Sequence, residues 1–386
     1  MPVPPTTFTH GRATQAPPGP VHVPQPRNAR PTHDRSFGMP FPVRVSPDVE
    51  RARAHTLRWA HDFGLVRDDA GLRRLESTRA ADLASFFHPR RTGSALETMT
   101  DLELWMLLFD DRFDAAVGHS PDLADAVLGD FLRATGLDPA RTSGRAPDTA
   151  LARSWIDLWR RESAGMSPRW AERARRHWLL WFDALVDETR HRALDTHPDV
   201  DTYLLLRRRT GAVQAILDAN EAVGGFEIPD TIARGSHIRD ITHIVCDVVC
   251  LVDDVIFLEK EEAYGEKLNM VLVLEHHRGM SRAHAVAEIH RMVDRRIDRY
   301  LRLRTRTSAV CAVAGATADA RARVNAWVDE AADVMGGLHT WAAPTGRRPT
   351  PPTGADRPPR PPRQRGRRLA STGTAPAMEM PWPTTT

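Results

Sequence analysis

Lysine is nearly absent. Of 53 basic residues only Lys260 and Lys267 are lysines, and 50 acidic residues leave a formal net charge of only +3. So small an excess over 386 residues gives no reason to expect a nucleic-acid partner, and the preference for arginine reads as compositional bias. Cysteine is scarce as well. Three residues cannot build a disulfide framework, and Cys246 and Cys250, one helical turn apart, lack the second pair a zinc site needs. Long apolar runs are missing: Ala309–Ala316 is the longest at eight residues, against the about 18 needed to cross a bilayer. The first thirty residues hold no apolar core of a secretory signal. These absences set the expectation of a cytoplasmic protein with neither membrane nor nucleic-acid partners. The 41% hydrophobic content, with 24 glycines besides, is that of a globular chain.

Proline is unevenly spread. Eleven of 30 prolines fall in residues 1–45 and eleven in 344–386, leaving eight for the 298 residues between. Both ends are too poor in large apolar residues to order themselves. The expected division is a disordered segment 1–45, a folded domain 46–348 and a disordered Pro/Arg-rich tail 349–386. Within the domain, apolar residues recur at three- and four-residue spacing over Ala52–Phe63, Asp101–Phe113, Leu151–Glu162, Arg169–Arg192, Val200–Val223, Ile238–Tyr264 and Arg282–Arg304. Alternating β-branched runs are nearly absent, and no repeat of 30–45 residues recurs. The spacing predicts a single all-α bundle.

Two acidic clusters end apolar helices. In LELWMLLFDDRFD, seven of the eight residues 102–109 are apolar, and Asp110 and Asp114 then project from one face, with Asp111 beside them. Like charges at i, i+4 repel. Hard oxygen ligands of this kind suit Mg²⁺ held partly by substrate phosphates, although a helix end emerging into solvent would read the same way. In VCDVVCLVDDVIFLEKEEAYGEKLN, about 140 residues on, Asp253, Phe257 and Glu261 share a face and Asp247 points elsewhere. There Glu259, Glu261, Glu262 and Glu266 could equally be a solvated face interleaved with Lys260 and Lys267. YLLLRRRTGAV supplies cationic donors in Arg207, Arg208 and Arg209, two of which are expected to be salt-bridged at the surface. Gly211 follows within a helical pattern, where glycine costs about 1 kcal/mol and needs a kink or a close ligand to explain it.

With these residues in order, roughly residues 40–348 resemble the bacterial class I terpene synthases, which cyclise prenyl diphosphates. FPVRVSPDVERARAHTLRWAHDFGL is similar to the family's opening helix, LFDDRFD to its aspartate-rich motif, and DDVIFLEKE to its second metal motif, Asn/Asp-Asp-x-x-Ser/Thr-x-x-x-Glu. Asn269 of NMVLVL sits where the family carries an Asn-x-Val stretch. The diphosphate-sensing arginine, 46 residues before Asp253, falls on Arg207, and the linker and effector positions fall on Thr210 and Gly211. Lys260 matches a diphosphate-contacting lysine, and WAAPTGRR the closing Trp…Arg-Tyr signature, giving Trp341 and Arg347.

The resemblance implies a class I terpenoid synthase bundle and three Mg²⁺ ions, with Mn²⁺ able to substitute. Asp110 and Asp114 would hold metal on one shore and Asp253 and Glu261 on the other. Asp111 could join them, but is read first as structural or salt-bridged. Arg207, Lys260, Arg347 and Arg348 would bind diphosphate; Arg207, Thr210, Gly211 and Trp341 form the catalytic set. Trp341, Phe87, Phe109 and Trp105 are candidate cavity aromatics, the last three more simply read as core, and His177, His237 and His243 are not expected to be bases. Three departures stand out: Phe257 replaces the Ser/Thr ligand, Asp253 replaces the commoner asparagine and adds negative charge, and Arg348 replaces the tyrosine. The implied reaction is ionisation of a prenyl diphosphate, with farnesyl diphosphate expected, and cyclisation to a sesquiterpene, in a protein compatible with a homodimer. The alternatives are a degenerate, weakly active or non-catalytic isoprenoid-diphosphate-binding protein, and a chain-elongating prenyltransferase, for which a second DDxxD is missing.

Overall fold

The computed structural model describes residues 33–138 and 148–342. Fifteen helices follow one another: α1 (Val49–Asp62), α2 (Asp69–Ser77), α3 (Ala80–Phe87), α4 (Gly93–Val117), α5 (Pro121–Thr135), α6 (Ala150–Ser163), α7 (Pro168–Leu194) and α8 (Val200–Thr210) come first. Then come α9 (Val213–Val223), α10 (Asp230–Ala233), α11 (Ser236–Ile256), α12 (Leu258–Tyr264), α13 (Met270–Arg278), α14 (Arg282–Val313) and α15 (Ala318–Ala342). There is no strand among the described residues, so the all-α expectation holds. None of these helices is long and apolar enough to cross a membrane.

Local chemistry sets the helix ends. Ser167 caps α7 by accepting the Trp170 N–H, with Pro168 at the first helical position, and Asp195 closes the helix in the left-handed region (φ 54°). Asp199 caps α8 through the N–H groups of Asp201 and Thr202. α11 is apolar almost all round, and packs against α8, α14 and α15 at the centre of the bundle. A second apolar centre joins α4, α5, α6 and α7 through Trp105, Phe109, Phe131, Trp155, Trp178, Trp181 and Phe182. The Trp155 and Trp178 rings meet edge-on at 4.5 Å, and the Trp105 indole N–H donates to the Leu151 carbonyl at 3.1 Å. Each such ring removes about 150–250 Å² from water, several kcal/mol at about 25 cal/mol per Å². Trp105 and Phe109 are therefore core residues, as is Phe87, packed under Gly337, where a Cβ would come within 2.7 Å of its ring.

Two apolar runs are broken, the first where Gly211 called for a kink and the second, read as continuous, at Phe257. The run over 200–223 divides at Gly211 and Ala212, the latter with φ 53°. The run over 238–264 divides at Phe257. Order also begins before the proline-based boundary at 45. Phe37 and Phe41 are buried, the Phe37 N–H donates to His339 Nε2 at 3.1 Å, and His33 Nε2 lies 2.7 Å from the Val255 carbonyl. Proline content alone hid these aromatic anchors. The tail 349–386 lies outside the described residues.

Candidate functional site

The C-terminal turns of α4 carry the first carboxylates. Leu102, Trp105, Phe109 and Phe113 are fully buried, which fixes the helix and leaves Asp110 and Asp111 open to water and Asp114 half-buried. Facing them, α7 ends in Glu188 and Arg192. The Arg192 guanidinium donates to Asp114 Oδ1 at 2.6 Å and to Glu266 Oε2 at 2.7 Å, and lies 3.5 Å from Glu188 Oε2. Although Asp110 touches water, the protein massed around it, and then Asp114, Glu188 and Asp111, raise its pKa well above the usual carboxylate range. Burial also raises Asp114 against the pull of Arg192, and lifts Glu188 to about 7.

The second shore is built on α8, α11 and the turn before α13. Arg207 Nη2 donates to Asp253 at 2.6 Å, and its Nε reaches Asp254 at 3.2 Å. Asp254 is fully buried and also accepts from the Tyr203 hydroxyl at 2.9 Å and the Met270 N–H at 3.0 Å. Asn269 Nδ2 bridges the Asp254 carbonyl (2.7 Å) and Glu261 Oε2 (2.8 Å). Burial, then Asp254 and Asp253, push Glu261 well above its ordinary value. Burial works against the Arg207 charge, but the surrounding groups, led by Asp254, more than offset it.

The two shores share one field. Lys260 acts on both Asp111 and Asp253. Arg207 acts on Glu188 as well as on its own partners, and Glu188 acts on Asp110. Among the described residues, eight carboxylates (Asp110, Asp111, Asp114, Glu188, Asp253, Asp254, Glu261 and Glu266) thus stand against four cations, Arg112, Arg192, Arg207 and Lys260. A shortage of positive charge among hard oxygens suits divalent cations. Among the described residues, no three His, Cys, Asp or Glu side chains are gathered so as to ligate an ion by themselves. Water or ligand oxygens would complete a coordination sphere, and the carboxylates present fit ions brought in with phosphate.

Other expectations fare differently. Asp111, read first as structural or salt-bridged, forms no ion pair among the described residues, and the neighbouring Arg112 turns its guanidinium to the Leu65 carbonyl at 2.5 Å. It is Asp114, expected as a ligand, that carries the salt bridge. Phe257 has no oxygen to offer, and its ring lies 6.0 Å from that of Trp341. Gly211 owes its identity to packing: a Cβ there would meet Cys250 Sγ at 2.4 Å. Thr210 Oγ1 is buried without a hydrogen bond, while its carbonyl accepts from Trp181 Nε1 at 3.1 Å. Arg208 pairs with Asp247 (2.6 Å) and Arg209 with Asp187 (2.9 Å), so both are salt-bridged, but Asp247 is buried and only the Arg209 pair has the solvated setting expected. His177 is tied to Asp218 at 2.5 Å, and burial lowers His237 and His243. Arg347 and Arg348 lie outside the described residues.

Sequence reasoning missed Glu188, Arg192 and Tyr203, and took Glu266 for a solvated residue. Glu188 and Arg192, at i and i+4 on an amphipathic helix, carry the signal of an ordinary surface pair. Only the fold shows that they face the aspartates.

Residues 101–299 match terpene synthase family 2, C-terminal metal binding. A pentalenene synthase of Streptomyces arenae is 38% identical over 322 residues, covering 81% of this chain and 92% of that protein. The (−)-β-caryophyllene synthase of Saccharothrix espanaensis, described as cyclising (2E,6E)-farnesyl diphosphate, is 37% identical over 309 residues, covering 79% of this chain and 86% of that one. The crystal structure of linalool/nerolidol synthase from Streptomyces clavuligerus superimposes with a TM-score of 0.69 at 29% identity, covering 80% of this chain and all of that one.

Proposed function

The chain belongs to terpene synthase family 2, and from that premise we propose that this terpene synthase ionises farnesyl diphosphate and cyclises the allylic cation to a sesquiterpene, using three Mg²⁺ ions. The observation that carries this reading is the position of Arg207, salt-bridged to Asp253 and Asp254 while its field reaches Glu188 beside the aspartate-rich motif. Asp110 and Asp114 would hold metal on one shore, with Asp111 open to join them, and Asp253 and Glu261 on the other. When bound, the ions would neutralise charge developing on the departing diphosphate.

The rest falls to the chain's own side chains. Arg207 and Lys260 donate to the diphosphate and stabilise it as it leaves, Arg207 preorganised by the carboxylates that hold it. Tyr203 and Asn269 keep Asp254 and Glu261 in place through hydrogen bonds from both sides. Arg347 and Arg348, beyond Trp341, would add donors from the chain's closing segment. The Phe257 and Trp341 rings present apolar, π-bearing surface beside the second motif, which excludes water and tolerates passing positive charge.

The test is incubation of full-length protein with Mg²⁺ and farnesyl diphosphate, followed by headspace analysis. Cyclic fifteen-carbon products are expected, with geranyl and geranylgeranyl diphosphate turned over less well. A longer diphosphate formed only when isopentenyl diphosphate is added would establish chain elongation instead. Binding without turnover of any of the three would refute the cyclase reading.

A further inference from the structure

The roles just assigned leave one buried cation unused. The Arg192 side chain is only 13% exposed and lies at the end of α7, between Asp114 of the first acidic stretch and Glu266 just beyond the second. We propose that Arg192 is a positioning residue that joins the two carboxylate-bearing shores and fixes the separation at which they receive metal and diphosphate; this rests on the terpene synthase reading above.

Three features carry it. First, all three guanidinium nitrogens face carboxylates: Nη1 meets Asp114 at 2.6 Å, Nε meets Glu266 at 2.7 Å and Nη2 meets Glu188 at 3.5 Å. Two of its N–H groups are committed to Glu266 and Asp114, and the third nitrogen lies against a carboxylate of its own helix. Second, the guanidinium is planar and rigid, so the directions of its N–H groups set the relative placement of the groups it holds; a lysine could satisfy only part of that set. Third, Glu266 does more than pair. Its Oε1 also accepts the N–H groups of Lys267 (2.8 Å) and Leu268 (3.0 Å), shaping the turn that delivers Asn269 to Glu261 and to the Asp254 carbonyl. A continuous path of hydrogen bonds and backbone therefore runs from Asp114 through Arg192, Glu266 and Asn269 to Glu261. In Asp114 only Oδ1 is bonded to Arg192 among the described residues, which leaves Oδ2 for an ion.

Removing the guanidinium would release Asp114 and leave three neighbouring carboxylates without their shared cation. Outer partners of metal-ligating carboxylates alter metal affinity by about 10–100-fold when mutated. Full-length Arg192→Gln, Arg192→Lys and Glu266→Gln, each checked for native helicity, provide the test. The readouts are the half-saturating Mg²⁺ concentration for turnover, separated from kcat, and calorimetric titration of Mg²⁺ in the presence of inorganic diphosphate. Arg192→Gln is expected to raise the Mg²⁺ requirement about tenfold or more in both assays, and Arg192→Lys to recover part of the loss. Glu266→Gln keeps an acceptor for the turn but weakens the link, so it is expected to shift in the same direction by less. A folded Arg192→Gln protein with wild-type Mg²⁺ dependence overturns the proposal. If that variant does not fold, unchanged metal affinity in Glu266→Gln does so. Failure of the wild type to turn over any prenyl diphosphate would refute the functional reading instead, and the calorimetric comparison would still decide the role of Arg192.

Discussion

Replacing Arg207 with methionine tests the second shore without any substrate. The substitution keeps most of the aliphatic stem and removes two ion pairs, 2.6 Å to Asp253 and 3.2 Å to Asp254. The two partners differ sharply. Asp253 retains 27% side-chain exposure and can be rehydrated, so its pair contributes at most about 1 kcal/mol. Asp254 has no exposure, and would be left with only the Tyr203 hydroxyl and the Met270 N–H for a full negative charge. Breaking a buried pair on one side costs about 3–5 kcal/mol. At about 2 °C per kcal/mol for a domain of this size, the melting temperature should fall by roughly 6–10 °C. Adding Asp254→Asn to Arg207→Met removes the stranded charge while keeping an oxygen for Tyr203 and Met270, so the double variant should recover at least half of the loss. Melting at a fixed scan rate in metal-free buffer, followed by circular dichroism, reads both. A fall below 2 °C in Arg207→Met, or no recovery in the double variant, would refute the view that Arg207 compensates a buried Asp254.

Asp110→Asn removes an acidic ligand at the face of α4; losing even about 3 kcal/mol of transition-state stabilisation lowers kcat/KM by about 100-fold, and wild-type turnover would exclude Asp110 from the site. Phe257→Ser restores an oxygen at the second motif, and should lower the half-saturating Mg²⁺ concentration or raise kcat/KM, at about 0.5–1.5 kcal/mol of stability for the lost ring contact with Trp341; if neither kinetic value moves, position 257 carries no metal role. Glu162 is buried with Oε1 unbonded, and burial and Asp218 raise it from 4.5 to about 8. Its protonated form favours the folded state, so this contribution is complete below pH 4.5 and is lost as pH rises through about 8. Glu162→Gln should therefore gain stability on wild type between those values, by up to about 1.4 kcal/mol per pH unit, and parallel urea curves at pH 5 and 8 would contradict it.

How far the sequence could be read depended on whether a signal was local. The all-α architecture and the long helices follow from three- and four-residue spacing, which needs no knowledge of partners. The acidic pairs beside buried runs and the triple arginine before a glycine drew attention locally, but it was the resemblance that gave Asp110, Asp114, Asp253 and Glu261 their roles and chose Arg207 among the three arginines. Arg192 did not draw attention, since its partners lie 78 residues away at Asp114 and 74 away at Glu266, and Glu188, paired with Arg192 four residues on, did not either. A helix-surface pair and a cleft pair have the same spacing; only tertiary packing separates them. Phe37 and Phe41 were lost for the opposite reason, two anchors in a proline-rich stretch whose average composition reads as unable to fold.

The second motif shows why spacing alone overreaches. On one unbroken helix Asp253, Phe257 and Glu261 would share a face, so a phenylalanine at the middle position would point among the carboxylates. The helix ends at Ile256, and Phe257 caps it with φ −98° and ψ 4° before α12 begins. The ring turns to Trp341, and Glu261, whose N–H still donates to the Phe257 carbonyl at 3.0 Å, is tied to the Asp254 carbonyl through Asn269. An apolar side chain at the break is thus accommodated by α15 without disturbing the carboxylates on either side. The loss of an oxygen at 257 removes one donor and leaves the placement of Asp253 and Glu261 to Arg207 and Asn269. Position 257 is therefore open to exchange between a ligand and a packing residue, while Asn269, with its two donated hydrogen bonds from one amide, is not.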